Sequence, residues 1–123
     1  MRKVVVIEDD KVTLRLIEKI LMDEGFEVLT ALDGRVGLDL VQTYLPGLVI
    51  SDMLIPSIDG MELTKRIRSN SLLKNIPVIL ISAVYKGYTF KRDIEESGAD
   101  HFMAKPLNMP ELLRIAKEIL KES

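Results

Sequence analysis

The sequence predicts an α/β fold built on a doubly wound, five-stranded parallel sheet. Short apolar runs alternate with stretches of helical period, and the links between them are brief. Two β-branched runs also stop on carboxylates: Val4-Val5-Val6-Ile7 runs into Glu8-Asp9-Asp10, and Leu48-Val49-Ile50-Ser51 into Asp52. Right-handed βαβ crossovers leave few topologies. For the two acid-tipped strands to meet they must be neighbours, which gives the order 2-1-3-4-5.

The elements follow in turn. Residues 3–7 form the first strand. Val12, Leu14, Leu16, Ile17, Ile20 and Leu21 mark a helical stripe over about 11–24, closed by Gly25, which accepts the backbone angles of a helix end. Phe26 to Ala31 alternates weakly and reads as a second strand at a sheet edge. Val36, Leu40, Val41, Tyr44 and Leu45 mark a second helix that ends before Pro46-Gly47. Residues 48–51 form the third strand and Gly60 to Ser69 the third helix, entered through an Asp59-Gly60 turn. Pro77 opens a fourth strand at 78–81 that runs into Ser82. A fourth helix is expected over about 89–97 with Phe90 and Ile94 inward, then Gly98-Ala99-Asp100 and a fifth strand near 101–104. Leu112, Leu113, Ala116, Ile119 and Leu120 give the last helix, with Pro110 tolerated in its first turn.

Composition narrows the functional classes. A chain of 123 residues holds one core, so residues 1–123 read as a single domain. With 47% apolar and 29% charged residues it is globular, and no apolar run approaches the roughly 18 residues of a membrane span. A net charge of −2 with scattered Lys and Arg gives no electrostatic case for nucleic acid. The absence of Cys removes disulfides and thiolate chemistry and fits a cytoplasmic setting.

One acid at a strand end is usually a cap or turn residue. Several strand ends taken together point elsewhere. Strands one, three, four and five end in Glu8-Asp9, Asp52, Ser82 and Lys105, the last before Pro106. At the carboxyl edge of an open sheet, hard oxygens suit Mg²⁺, an Asp can form an acyl phosphate, and a lysine and hydroxyl stabilise phosphoryl charge. Asp10 reads as a cap of the first helix, His101 as a surface residue, and Met53, Met61, Met103 and Met109 as packing.

The ordered set Glu8-Asp9, Asp52-Met53-Leu54-Ile55-Pro56-Ser57-Ile58-Asp59-Gly60, Ser82-Ala83, Gly98-Ala99-Asp100 and Lys105-Pro106 resembles the receiver domain of bacterial two-component response regulators, in particular chemotaxis-type regulators. The resemblance spans the whole chain and implies a flavodoxin-like sandwich of five strands and five helices. It implies a phosphorylation-activated switch, not an enzyme, that assists its own phosphoryl transfer and dephosphorylation. A sensor histidine kinase or phosphotransfer protein would donate to Asp52, with Mg²⁺ (or Mn²⁺) held by Glu8, Asp9, Asp52 and the Leu54 backbone carbonyl. Ser82 and Lys105 would meet the phosphoryl oxygens, and Ser82 and Phe102 would form the switch. Residues 87–120 would then bind an output domain, a target protein or, in a phosphorylation-dependent homodimer, a second copy. Kinase choice would rest on Val12 to Leu16 and Pro106 to Met109. No direct nucleic-acid or membrane partner is implied. Apolar Leu54 and Val84, two residues beyond Asp52 and Ser82, would slow self-hydrolysis. The chain departs from the family pattern at Ile55, where Met is commoner, at Phe102, where Tyr would carry a hydroxyl, and in a slightly longer connection from Ser82 to Lys105.

Two other classes compete. A haloacid-dehalogenase-like phosphatase would also use Asp52 as nucleophile with Mg²⁺, but it needs a second Asp where this chain has Leu54. A nucleotide- or flavin-binding module would need a glycine- or hydroxyl-rich phosphate loop after strand one, where Glu8-Asp9-Asp10-Lys11 is electrostatically opposite.

Overall fold

The computed structural model describes residues 2–83, 92 and 95–121. Its elements are β1 (Lys3–Ile7), α1 (Lys11–Asp23), β2 (Glu27–Ala31), α2 (Gly34–Tyr44), β3 (Leu48–Asp52), α3 (Gly60–Ser69), β4 (Val78–Ser82), β5 (His101–Ala104) and a C-terminal helix (Met109–Lys121). All strand pairs are parallel, in the order β2-β1-β3-β4-β5. The expected fourth helix falls largely outside the described residues, as do Val84, Phe90 and Ile94; residues 92 and 95–97 are helical.

Strand periodicity explains the two layers. Val5, Ile7, Val49, Val78 and Leu80 face α2 and α3, meeting Leu38, Val41, Leu63 and Ile67. Val4, Val6, Leu48, Ile50, Ile79 and Ile81 face the other way, against Leu14, Ile17 and Leu21 of α1 and Leu112, Ile115, Ala116 and Leu120 of the C-terminal helix. Both faces are covered, so the inner strands read as unbroken apolar runs. Each of the first three helices opens on an Asp whose carboxylate accepts an amide hydrogen bond: Asp10 from Thr13, Asp33 from Val36 and Asp59 from Glu62.

Two helix faces differ from the sequence expectation. In α1 the buried residues are Leu14, Ile17 and Leu21, while Val12 and Leu16 are 70% and 50% exposed. In α2 the inward residues are Gly34, Gly37, Leu38 and Val41, whereas Val36, Tyr44 and Leu45 are exposed. Glycines hide this face from a hydrophobicity reading because they bury backbone instead of side chain. A Cβ on Gly37 would lie 2.3 Å from Ile7 Cδ1, so α2 sits on β1 at glycine distance. Helix α2 ends at Tyr44, and Leu45 turns the chain in the left-handed region at φ 47° before Pro46.

Basic residue Arg68 secures the far edge of the sheet. Its guanidinium donates to the carbonyls of Lys74, Ile76 and Gly98 and to Asp100, 2.7 Å away, which also accepts the Val78 amide. That knot fixes the entries of β4 and β5, the strands that end at Ser82 and Lys105.

The reassigned α2 face is testable by urea unfolding. Leu38→Ala is expected to cost about 2–5 kcal/mol as a core truncation, and Val36→Ala no more than about 0.5 kcal/mol. Equal losses would contradict the observed face.

Candidate functional site

The carboxyl edge of the sheet assembles the site through its backbone ladder. Parallel register sets Ile7 beside Ser51, Asp52 beside Ile81 and Ser82 beside Ala104. One further rung continues the ladder just past β1, β3 and β5. Glu8 N–H donates to Ala31 O at 3.0 Å, Met53 N–H to Ile81 O at 2.8 Å, and Lys105 N–H to Ser82 O at 2.8 Å. Four strand ends therefore line up as Glu8, Asp52, Ser82 and Lys105. Asp52 is itself the last residue of β3, one beyond the expected end.

At the centre is an ionic bridge. Lys105 Nζ lies 2.6 Å from Asp52 Oδ2 and 2.8 Å from Glu8 Oε1. Asp52 is only 6% exposed and Glu8 1%. The remaining oxygens are held by backbone: Asp52 Oδ1 accepts Leu54 N–H at 2.9 Å, and Glu8 Oε2 accepts Asp10 N–H at 3.0 Å. Burial pushes the Glu8 carboxyl up, the Lys105 contact and the Asp10 amide pull it back, and the Asp52 charge adds to the rise; the net effect is upward. For Lys105 burial alone favours the neutral amine, but its bonds to Asp52 and Glu8 outweigh that and hold it above the ordinary lysine value.

A divalent cation fits this donor set. Glu8, Asp9 and Asp52 each offer a carboxylate oxygen within 4.8 Å of the others, Asp9 from the solvent side. Glu8 Oε1 is buried, and among the described residues its partner is the Lys105 ammonium alone. A hard, partly hydrated cation suits such oxygens.

Buried side chains pin the loop after Asp52. Met53, Ile55 and Ile58 are buried, while Leu54 is exposed. Gly60 N–H donates to Met53 O at 2.9 Å, and a Cβ on Gly60 would come within 2.5 Å of Asp52 O. The turn read at Asp59-Gly60 is thus a close approach onto the phosphoacceptor candidate's own backbone. Ser82 is buried. Phe102 pairs in register with Leu80 and packs, half-buried, on the α2–α3 layer, the face to which Ser82 also belongs by strand alternation. His101 is exposed, and Asp10 caps α1, as expected. The sequence reading missed that Lys105 serves both acids at once. It also missed the Arg68–Asp100 knot, whose only trace in the sequence is the Gly98-Ala99-Asp100 turn.

A family model of the response regulator receiver domain matches residues 4–117. The chain belongs to that family. It is 35% identical to histidine kinase P4 of Formosa agariphila across 96% of its own length, but spans only 8% of that protein. Against the polar-differentiation response regulator DivK of Brucella anthropi it is 26% identical, covering 99% of this chain and 98% of that one. The solved receiver domain of Francisella response regulator 1452 superposes with a TM-score of 0.89 at 29% identity, covering 99% and 98% of the two chains. Receiver domains are phosphorylation-dependent signalling switches that work with histidine kinases, not conventional enzymes, and they bind Mg²⁺ through acidic residues. Nothing in these matches supports the phosphatase alternative, and the residue it needs as an acid is apolar Leu54. Among the described residues no helix is long and apolar enough to cross a membrane.

The raised Glu8 carboxyl has a definite pH signature. Its penalty is absent below the ordinary value of 4.5 and grows as pH climbs through the higher folded value. Lys105, held above 10.5, contributes across that whole window and is lost only at higher pH. In metal-free buffer, Glu8→Gln is expected to gain stability relative to wild type as pH rises above 4.5 toward the higher folded value. A tenfold weakening of the Glu8 acid on folding corresponds to a gain of about 1.4 kcal/mol. A pH-independent difference, or one that moves in favour of wild type, would contradict the crowded-acid description.

Proposed function

We propose that residues 1–123 form one receiver domain in which Asp52 accepts the phosphoryl group. The observation that carries this reading is the Asp52 carboxylate itself. It is almost wholly buried, fixed by Leu54 N–H on one oxygen and Lys105 on the other, and faces Glu8 and Asp9. In the reaction the P–N bond of a donor phosphohistidine breaks, its electron pair stays with the imidazole nitrogen, and a P–O bond to Asp52 forms an acyl phosphate. Asp9 is assigned as direct ligand, Glu8 as second acid and the Leu54 carbonyl as a further oxygen for Mg²⁺, or Mn²⁺ in its place. When bound, the ion would supply positive charge where phosphoryl oxygens gather. Lys105 is already in contact with Asp52 and is placed to follow the charge outward. The Ser82 hydroxyl joins from β4. Self-dephosphorylation is slow on this reading, because the exposed Leu54 side chain cannot orient a water; Val84, the second apolar neighbour, lies outside the described residues.

A phosphoryl group adds close to two negative charges. Drawing Ser82 toward it would open space on the layer that Phe102 already borders, and Phe102 would turn in. The surface over 87–120 would then bind an output domain, a target protein or a second copy of the chain. For the donor we propose the exposed apolar Val12 and Leu16 on α1, with Pro106 to Met109, as the docking face, in the cytoplasm.

Acetyl phosphate with Mg²⁺ tests the reading. We expect a single phosphoryl adduct, mapped to Asp52 and absent in Asp52→Asn, which decays faster in Leu54→Asn. Amide shifts of residues 101–120 should change in wild type and stay silent in Asp52→Asn. A label mainly on another residue, or unchanged labelling of Asp52→Asn, would overturn the assignment.

A further inference from the structure

We propose that Ser57 is a positioning residue for the phosphoacceptor site: with Asp33 it clasps the Asp52 loop to the start of α2 and so fixes the Leu54 backbone against Asp52. Three consecutive residues, the cap Asp33 and the first two residues of α2, engage that loop. Asp33 Oδ1 accepts the Ser57 hydroxyl at 3.3 Å while also accepting Val36 N–H at 2.9 Å. Gly34 N–H donates to Pro56 O at 3.0 Å. Arg35 N–H donates to Ser57 Oγ at 3.0 Å. Gly34 also sets the spacing, because a Cβ there would lie 1.8 Å from Ile58 O.

Ser57 itself has φ 68°, the left-handed region that disfavours any residue with a Cβ. Glycine would relieve this but could make neither bond. The Ser57 hydroxyl ties the middle of the loop to α2 through a side chain, beside the backbone bond of Gly34 to Pro56 O, whereas Gly60 anchors the loop's end on Met53 O. Leu54 lies between Asp52 and this clasp, exposed, with its N–H on Asp52 Oδ1. Without the hydroxyl the loop keeps only the backbone bonds of Gly34 N–H to Pro56 O and Gly60 N–H to Met53 O, and Ser57 is free to swing and let the Leu54 peptide rotate away from Asp52. Outer-shell bonds that orient a ligand typically change metal affinity about 10–100-fold. The inference rests on the proposal that the Leu54 carbonyl joins the metal ligands, and it adds the group that aims this carbonyl.

The test compares wild type with Ser57→Gly, Ser57→Ala and Ser57→Asn. Ser57→Gly removes the hydroxyl and relieves the backbone, so it keeps the fold; Ser57→Asn tolerates the same angles and restores a donor and an acceptor. Amide hydrogen exchange of Leu54 is read in metal-free protein, Mg²⁺ affinity by titrated amide shifts, and global stability by thermal melting. We expect Ser57→Gly to melt no lower than wild type, yet to exchange Leu54 faster and bind Mg²⁺ about ten-fold more weakly. Ser57→Ala should share both losses, and Ser57→Asn should recover most of each. Unchanged Leu54 exchange in Ser57→Gly and Ser57→Ala would overturn the clasp whether or not Mg²⁺ binds. Faster exchange with wild-type Mg²⁺ affinity would overturn the positioning role. Failure of wild type to bind Mg²⁺ would instead defeat the metal assignment, leaving the clasp to be judged on Leu54 exchange.

Discussion

The contact of one ammonium with two buried carboxylates is the interaction on which the rest of the site depends. Topology forces β1 and β3 side by side, so their terminal acids meet whether or not anything neutralises them. At an effective dielectric of about 20, unit charges about 4 Å apart interact by about 4 kcal/mol, a large share of the about 5–15 kcal/mol that holds a domain folded. Lys105 arrives from β5, two strands beyond Asp52, and touches Glu8 and Asp52 together. It therefore lets the cluster exist without metal. On the proposed reading, a bound cation or a phosphoryl group on Asp52 would compete for the same contacts and give the site two charge arrangements instead of one.

The molecule spends its other acids differently. Asp10, Asp33 and Asp59 also follow strands, yet each is consumed by the amide three residues ahead at the start of a helix. The distinction is positional. Glu8 and Asp52 sit at or one residue past a strand end, where the ladder still dictates direction, whereas Asp10, Asp33 and Asp59 each stand immediately before a helix. Glycines then bring the turned chain close: Gly34 against Ile58, Gly37 against Ile7 and Gly60 against Asp52. The result is a loop after Asp52 in which Met53, Ile55 and Ile58 are buried and the Leu54 amide faces the Asp52 carboxylate.

The β-branched runs made the strands legible, and the acids, hydroxyl and lysine that end them made the edge legible; four strand ends with complementary chemistry carry more information than any one of them. The faces of α1 and α2 were less legible. Val12 and Leu16 are apolar but point outward, and Gly34 and Gly37 point inward without being apolar, so hydrophobicity alone misassigns both. The double contact of Lys105, the Arg68 knot and the Ser57 clasp each join residues far apart in the chain, and the identity of Lys, Arg or Ser carries no sign of which carbonyl or carboxylate it will meet. Only the assembled backbone specifies those partners.

The central claim is that Lys105 neutralises the acids that topology brings together. A double-mutant cycle of Lys105→Met and Asp52→Asn, read by urea unfolding in metal-free buffer, measures that directly. Losing Lys105 is predicted to cost more when Asp52 is charged than when it is Asn, with a coupling of about 1–3 kcal/mol. An identical cost of Lys105→Met in both backgrounds would contradict it.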